Sequence, residues 1–215
     1  MISHAHSALM PVLTASGSAM TMENWTAIGV KSAVFYLSSL LMKPGMDVLL
    51  CCDNIHTYVG WSGHLVLNAS DLLKDKAGRF TLRSIYDGKV SHYTENELMV
   101  LINSLKPDAV ILPPTLSSNA LALLADAIKP CDESLVSDQS AKDALNGLIY
   151  DKDAMFSITA EDMATSFEPL SQDCACPACA LGLTRAYFHH LYVHTPLLCY
   201  RFLIQHNHYV VTLMK

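Results

Sequence analysis

"CACPACALGLTRAYFHHL", residues 174–191, places three cysteines within six residues and follows them with a helix-forming run that carries paired histidines. Thiolates and neutral imidazole suit zinc, and a structural zinc site needs four such ligands in a tetrahedron. Cys174, Cys176 and Cys179 supply three from one turn of chain. The fourth has to come from elsewhere, and "LIQHNHYV" (203–210) offers His206 or His208. Four protein ligands leave no open position for water, so such a metal holds structure and performs no hydrolysis. The zinc deaminase pattern is absent, because no H-x-E precedes the cluster.

Upstream of the cluster the chain alternates strand-like apolar runs with capped helical patterns. "MPVLTA" (10–15), "SAVFYLSS" (32–39), "HLVLN" (64–68) and "AVILPP" (109–114) read as strands. Helices are expected from an N-cap at Thr21 to Gly29, from Asp47 to Tyr58, and over 117–128. Another starts at the capping box of Thr94 and Glu97 and ends before Pro107. "FTLRSIYDGKVSHYT" (80–94) alternates around Asp87-Gly88, the strongest hairpin signal in the chain. Beyond Cys131 a short helix ending at Gly147 and two short strands, "LIYD" and "MFSI", are expected. Strand and helix in alternation predict a largely parallel sheet covered by helices.

Composition narrows the class. Half of the 215 residues are apolar and 16% are charged, the balance of a globular chain. No apolar run approaches a membrane span; Lys43, Pro44 and Asp47 interrupt the best one, Ala33 to Cys52. The first residues lack the positive start of a secretory signal, so reduced thiols and a cytoplasmic location are expected. Cys51, Cys52, Cys131 and Cys199 then read as core fillers. The net charge is −6, yet all 20 acids precede residue 174. The tail holds Arg185, Arg201 and Lys215 and no acid, a segment able to meet a phosphate backbone, or one simply buried. His4, His6 and His64 find no role.

"FEPLSQDCACPACALGLTRAYFHHL" (167–191) followed by "QHN" (205–207) resembles the zinc-binding C-terminal segment of the tRNA-guanine transglycosylases, the queuine tRNA-ribosyltransferases. The resemblance implies a structural Zn2+ held by Cys174, Cys176, Cys179 and His206. More weakly, "MPVLTASGSAMTMENWTAIGV", "GWSGHLVLNAS" and "FTLRSIYDGKVSHYTENE" are similar to the family's opening strand and helix, its third strand and turn, and its hairpin. The implied fold is α/β, an incomplete TIM-barrel-like sheet with helices over residues 1–160, followed by a helical zinc-binding part at 161–215.

The family exchanges guanine at the tRNA wobble position for a deazapurine, using a carboxylate nucleophile, a proton-shuttling aspartate and a base-reading aspartate. In this chain those positions align with Val136, Asn68 and Pro114, and the family's base-reading glycine loop, with roughly three βα units, has no counterpart. A complete eight-stranded barrel takes about 250 residues, more than remain once the zinc segment is set aside. The resemblance therefore implies a shortened paralogue that has lost base exchange and serves as a partner of a full-length transglycosylase, as a homodimer, or as a tRNA-binding protein. Tyr187 and His190 would lie at an interface, and Arg185 and Arg201 would meet tRNA. The alternative is an enzyme on tRNA or a deazapurine with a rebuilt site drawn from Asp138, Asp53 or Asp71.

Overall fold

The computed structural model describes residues 9–152 and 154–213; His4 and His6 lie outside them. The chain divides into two compact units. One draws its described residues from 1–30 and 135–215, and the other is Lys31–Ser134.

In chain order the first unit opens with β1 (Met10–Pro11), a 3₁₀ turn at Ala15–Ala19 and α1 (Met22–Ala27). Thr21 caps α1 as its sequence predicts, its hydroxyl accepting from Asn24 N. The expected 10–15 strand is only two residues long, because the chain turns into the 3₁₀ segment at Ala15, whose φ is +52°.

The second unit holds β2 (Ser32–Tyr36), α2 (Leu37–Met42), α3 (Met46–Leu50), α4 (Ile55–Val59), β3 (His64–Asn68), β4 (Phe80–Arg83), β5 (Val90–Tyr93), α5 (Glu95–Leu105), β6 (Ala109–Ile111), α6 (Ser118–Leu121) and β7 (Lys129–Pro130). Strands β2, β3, β6 and β7 form one sheet in that order, all parallel. Its middle strands are buried apart from His64 at the start of β3, as expected for a parallel sheet covered on both faces. β7 contains Pro130 and lies at the sheet edge, where a missing N–H costs no ladder bond. β4 and β5 make the expected antiparallel hairpin, with Gly88 at φ +72°. α5 carries the predicted Thr94/Glu97 capping box and buries Leu98, Leu101, Ile102 and Leu105.

Three expectations are corrected here. The strand from Ser32 stops at Tyr36, because Leu37, Leu40 and Leu41 present one buried helical face in α2. The single helix expected over 47–58 is two, since Asn54 takes an extended conformation and caps α4 by accepting from Thr57 N at 2.8 Å. The helix expected over 117–128 stops at Leu121 and gives way to turns.

The chain then returns to the first unit with β8 (Val136–Ser137), α7 (Gln139–Leu145), β9 (Leu148–Asp151), β10 (Ala154–Ser157), α8 (Arg185–His194) and α9 (Pro196–Leu213). β1 pairs with β8 in parallel, and β9 with β10 antiparallel. α9 is the centre of this unit and packs against α7, α8, β9 and the 3₁₀ turn at Ala15–Ala19. Gly147 ends α7 at φ +76°; a Cβ there would sit 2.8 Å from Thr159 Cγ2, so both backbone and space require glycine. Among the described residues no helix is long and apolar enough to cross a membrane.

Candidate metal centre

Residues Leu203 to His208 form an unbroken buried stretch of α9. A helix covered on every side has to pair its polar side chains inside the protein, and three polar residues of this stretch show how. His206 and His208 are two positions apart, about 200° around the helix axis, and therefore face opposite ways. His206 is fully buried and turns its Nδ1 to the three cysteines, 3.5 Å from Cys174 Sγ, 3.7 Å from Cys176 Sγ and 3.2 Å from Cys179 Sγ. His208 instead packs edge-on against the buried Trp25 ring, centroids 5.5 Å apart, and burial lowers its pKa to about 4. The two candidates left open by the sequence are thus separated by helix phase.

The four donor atoms of Cys174, Cys176, Cys179 and His206 all lie within 4.8 Å of one another. Bond lengths of about 2.3 Å to sulfur and 2.0–2.1 Å to nitrogen in a tetrahedron put the S···N edges at roughly 3.6 Å. The observed edges match that figure before any ion is considered. The imidazole tautomer fits as well. His206 Nε2 donates to Tyr150 O at 2.7 Å, which leaves the Nδ1 lone pair aimed at the thiols. Cys179 N donates to Cys176 Sγ at 3.3 Å, so a backbone amide supports one sulfur.

The local electrostatics favour a cation. Burial acts to lower the His206 pKa, but the thiols of Cys174 and Cys176 and the Tyr150 carbonyl override it and raise it to about 9. Hydrogen bonds from Cys176 and Cys179 hold the Cys174 thiol far below the ordinary range, while hydrogen bonding to Cys174 and Cys176 pushes Cys179 up. Three sulfurs this close need added positive charge before all can ionise. These residues could hold a metal ion, and with all four donors engaged it would fix the segment to α9.

The supporting contacts explain the neighbouring motif. Asn207 accepts from Tyr150 N at 3.0 Å and donates to Leu148 O at 2.8 Å and Ser140 O at 3.3 Å. With His206, it ties α9 to β9. Arg185, at the start of α8, spends its guanidinium on the lead-in loop. Nε donates to Pro169 O (3.0 Å), Nη2 to Leu170 O (3.3 Å) and Nη1 to the Glu168 carboxylate (3.1 Å), and the group sits 4.6 Å from the Phe156 ring centroid. Arg201 lies on α9 with its Nε buried and, among the described residues, without a hydrogen-bond partner. Tyr187 and His190 are exposed on α8 with their rings stacked, 6.1 Å apart. Of the four cysteines expected to fill the core, only Cys199 does so; Cys51 is exposed in the turn between α3 and α4, and Cys52 and Cys131 are half-buried.

In the other unit, Asn68 ends β3 fully buried. Its Oδ1 accepts from Ser70 N at 2.8 Å and its Nδ2 donates to Glu133 Oε1 at 3.3 Å. Ser70 Oγ also donates to Glu133, at 2.7 Å, and Ser38 Oγ donates to Asp71. Burial raises the Asp71 pKa, the Ser38 hydrogen bond opposes this, and the charge of Glu133 adds to it. Glu133, more than sixty residues from Asn68 in sequence, gave no local signal of this role; it gathers here because β7 lies in the same sheet as β3. Pro114 follows β6 at the surface. Asp53 is exposed in the turn before α4, while Asp138 belongs to the first unit and pairs with Lys142 at 2.8 Å. Val136 lies in β8, half-buried.

A family model described as queuine tRNA-ribosyltransferase matches residues 136–215. A queuine tRNA-ribosyltransferase of Chlamydia muridarum (strain MoPn / Nigg) is 34% identical over 84 residues, which are 39% of this chain and 23% of that protein. The match thus spans under a quarter of the relative's length. The matched residues contain the three cysteines, His206, Asn207 and the helices that position them. Over residues 136–215 the chain is similar to the queuine tRNA-ribosyltransferases.

Proposed function

We propose that this protein is a zinc-stabilised transglycosylase relative that does not itself exchange bases and acts as a partner subunit or a tRNA-binding chain. One observation carries the reading. The position where the resemblance implies a proton-shuttling carboxylate holds Asn68, whose amide is buried and spent on Ser70 and Glu133. An amide cannot take a proton at neutral pH, and this one already gives a donor to Glu133 and an acceptor to Ser70. The intact Cys₃His geometry supports zinc as the structural ion at 161–215. The sequential order β2-β3-β6-β7, all parallel, supports reading 31–134 as a portion of a βα barrel, since a doubly wound sheet reverses its order. Tyr187 and His190 offer an exposed face for a second chain, whether another copy or a full-length transglycosylase.

A second reading is favoured by Asp71, whose carboxyl follows β3, bonded to Ser38 and within the field of Glu133. A carboxyl raised by burial beside another carboxylate, near the ends of parallel strands, is the arrangement of a general acid. Guanine exchange into bulk tRNA separates the two, with zinc-loaded protein alone and then mixed with a full-length relative. Silence alone with altered incorporation in the mixture is expected. Incorporation by the protein alone, abolished by Asp71→Asn, would replace the first reading with the second.

A further inference from the structure

The geometry points to a second metal site, on the exposed face of α8, where His190 and His194 form a two-imidazole chelate for a first-row divalent ion. The two residues are four apart, so the helix places them one above the other on one face. Their ring centroids are 4.5 Å apart with a 42° tilt, and both are exposed. Imidazole nitrogens ligating one ion at about 2.0–2.1 Å sit roughly 3 Å apart, a convergence that small side-chain rotations supply from this starting distance. Nothing packed has to move for those rotations, because neither ring is buried.

Outside the Cys₃His cluster, the described histidines that hydrogen-bond differ in kind. His56 contacts Asp108 and Trp61 O, His92 contacts Asp75 and Thr81, and His189 contacts Ile158 O. His190 and His194 engage only aromatic rings among the described residues. His194 is also the last residue of α8, so an ion held there meets the negative end of the helix dipole and its unpaired carbonyls. Imidazole suits nickel, copper and zinc; water completes the coordination, and binding weakens as acid protonates the rings.

Calorimetric titration of the zinc-loaded, untagged full chain with Ni2+ tests this, with metal analysis before and after. One Ni2+ per chain is expected, added without loss of zinc. His194→Ala or His190→Ala should weaken it about a hundredfold, because one imidazole replaces a chelate, and His194→Ala should leave zinc content and melting unchanged. His64→Ala and His4→Ala/His6→Ala should bind as wild type. Binding that survives His194→Ala, that disappears with His4 and His6, or that displaces the zinc would overturn the assignment, as would no binding at all.

Discussion

Asn207→Ala is the perturbation that most directly probes the link between α9 and β9. The side chain makes three hydrogen bonds to backbone groups of β9 and α7, at 3.0, 2.8 and 3.3 Å, from a fully buried position. At about 1 kcal/mol net for each, the loss is about 3 kcal/mol, a large share of the 5–15 kcal/mol that typically separates folded from unfolded. For a chain of this length that corresponds to a fall in melting midpoint of about 6–12 °C. The metal should register the change too. Tyr150 gives its N–H to Asn207 and its carbonyl to His206, so freeing β9 loosens the contact that holds the imidazole. Loss of such an outer contact weakens metal affinity about 10–100-fold. Urea unfolding measures the first effect, and zinc transfer to a chromophoric chelator measures the second. An Asn207→Ala protein with an unchanged midpoint and unchanged zinc transfer would refute the reasoning.

Removing the metal with a strong chelator should abolish the cooperative unfolding of the unit containing 135–215, because structural zinc typically contributes more than a domain's net stability; circular dichroism with metal analysis follows it. Arg185→Lys should lose the three-pronged grip on Glu168, Pro169 and Leu170 and lower stability by about 2 kcal/mol in denaturant titration, with charge unchanged. The Glu95 carboxyl is held down to about 2, first by the Lys74 ammonium and then by the Ser117 hydroxyl and amide. Its folded value lies below the unfolded 4.5, so its contribution is present above about pH 4.5 and is lost as pH falls toward 2. Glu95→Gln should flatten the stability profile in that window and nowhere else.

Much of this was legible from local spacing. Three cysteines in six residues have to sit on one turn, and Thr94 with Glu97 has to cap the helix that follows, because both depend on neighbours within reach of a single turn. The Asp87-Gly88 hairpin and the strand at 64–68 belong to the same class. Helix ends were less legible. Leu37 and its neighbours continue an apolar run past Tyr36, and only their 3-4 spacing separates helix from strand.

The sequence by itself determined the donor chemistry: three thiols and a choice of two imidazoles, the soft donor set that suits zinc. Tertiary structure decided which imidazole. The phase of α9 sends His206 toward the thiols and His208 toward Trp25, and that phase is set by which face packs on β9, α7 and α8. It also decided that Glu133 meets Asn68 and that Arg185 faces inward to the lead-in loop. Contacts across tens of residues depend on how strands order within a sheet, and residue spacing along the chain carries no record of that order.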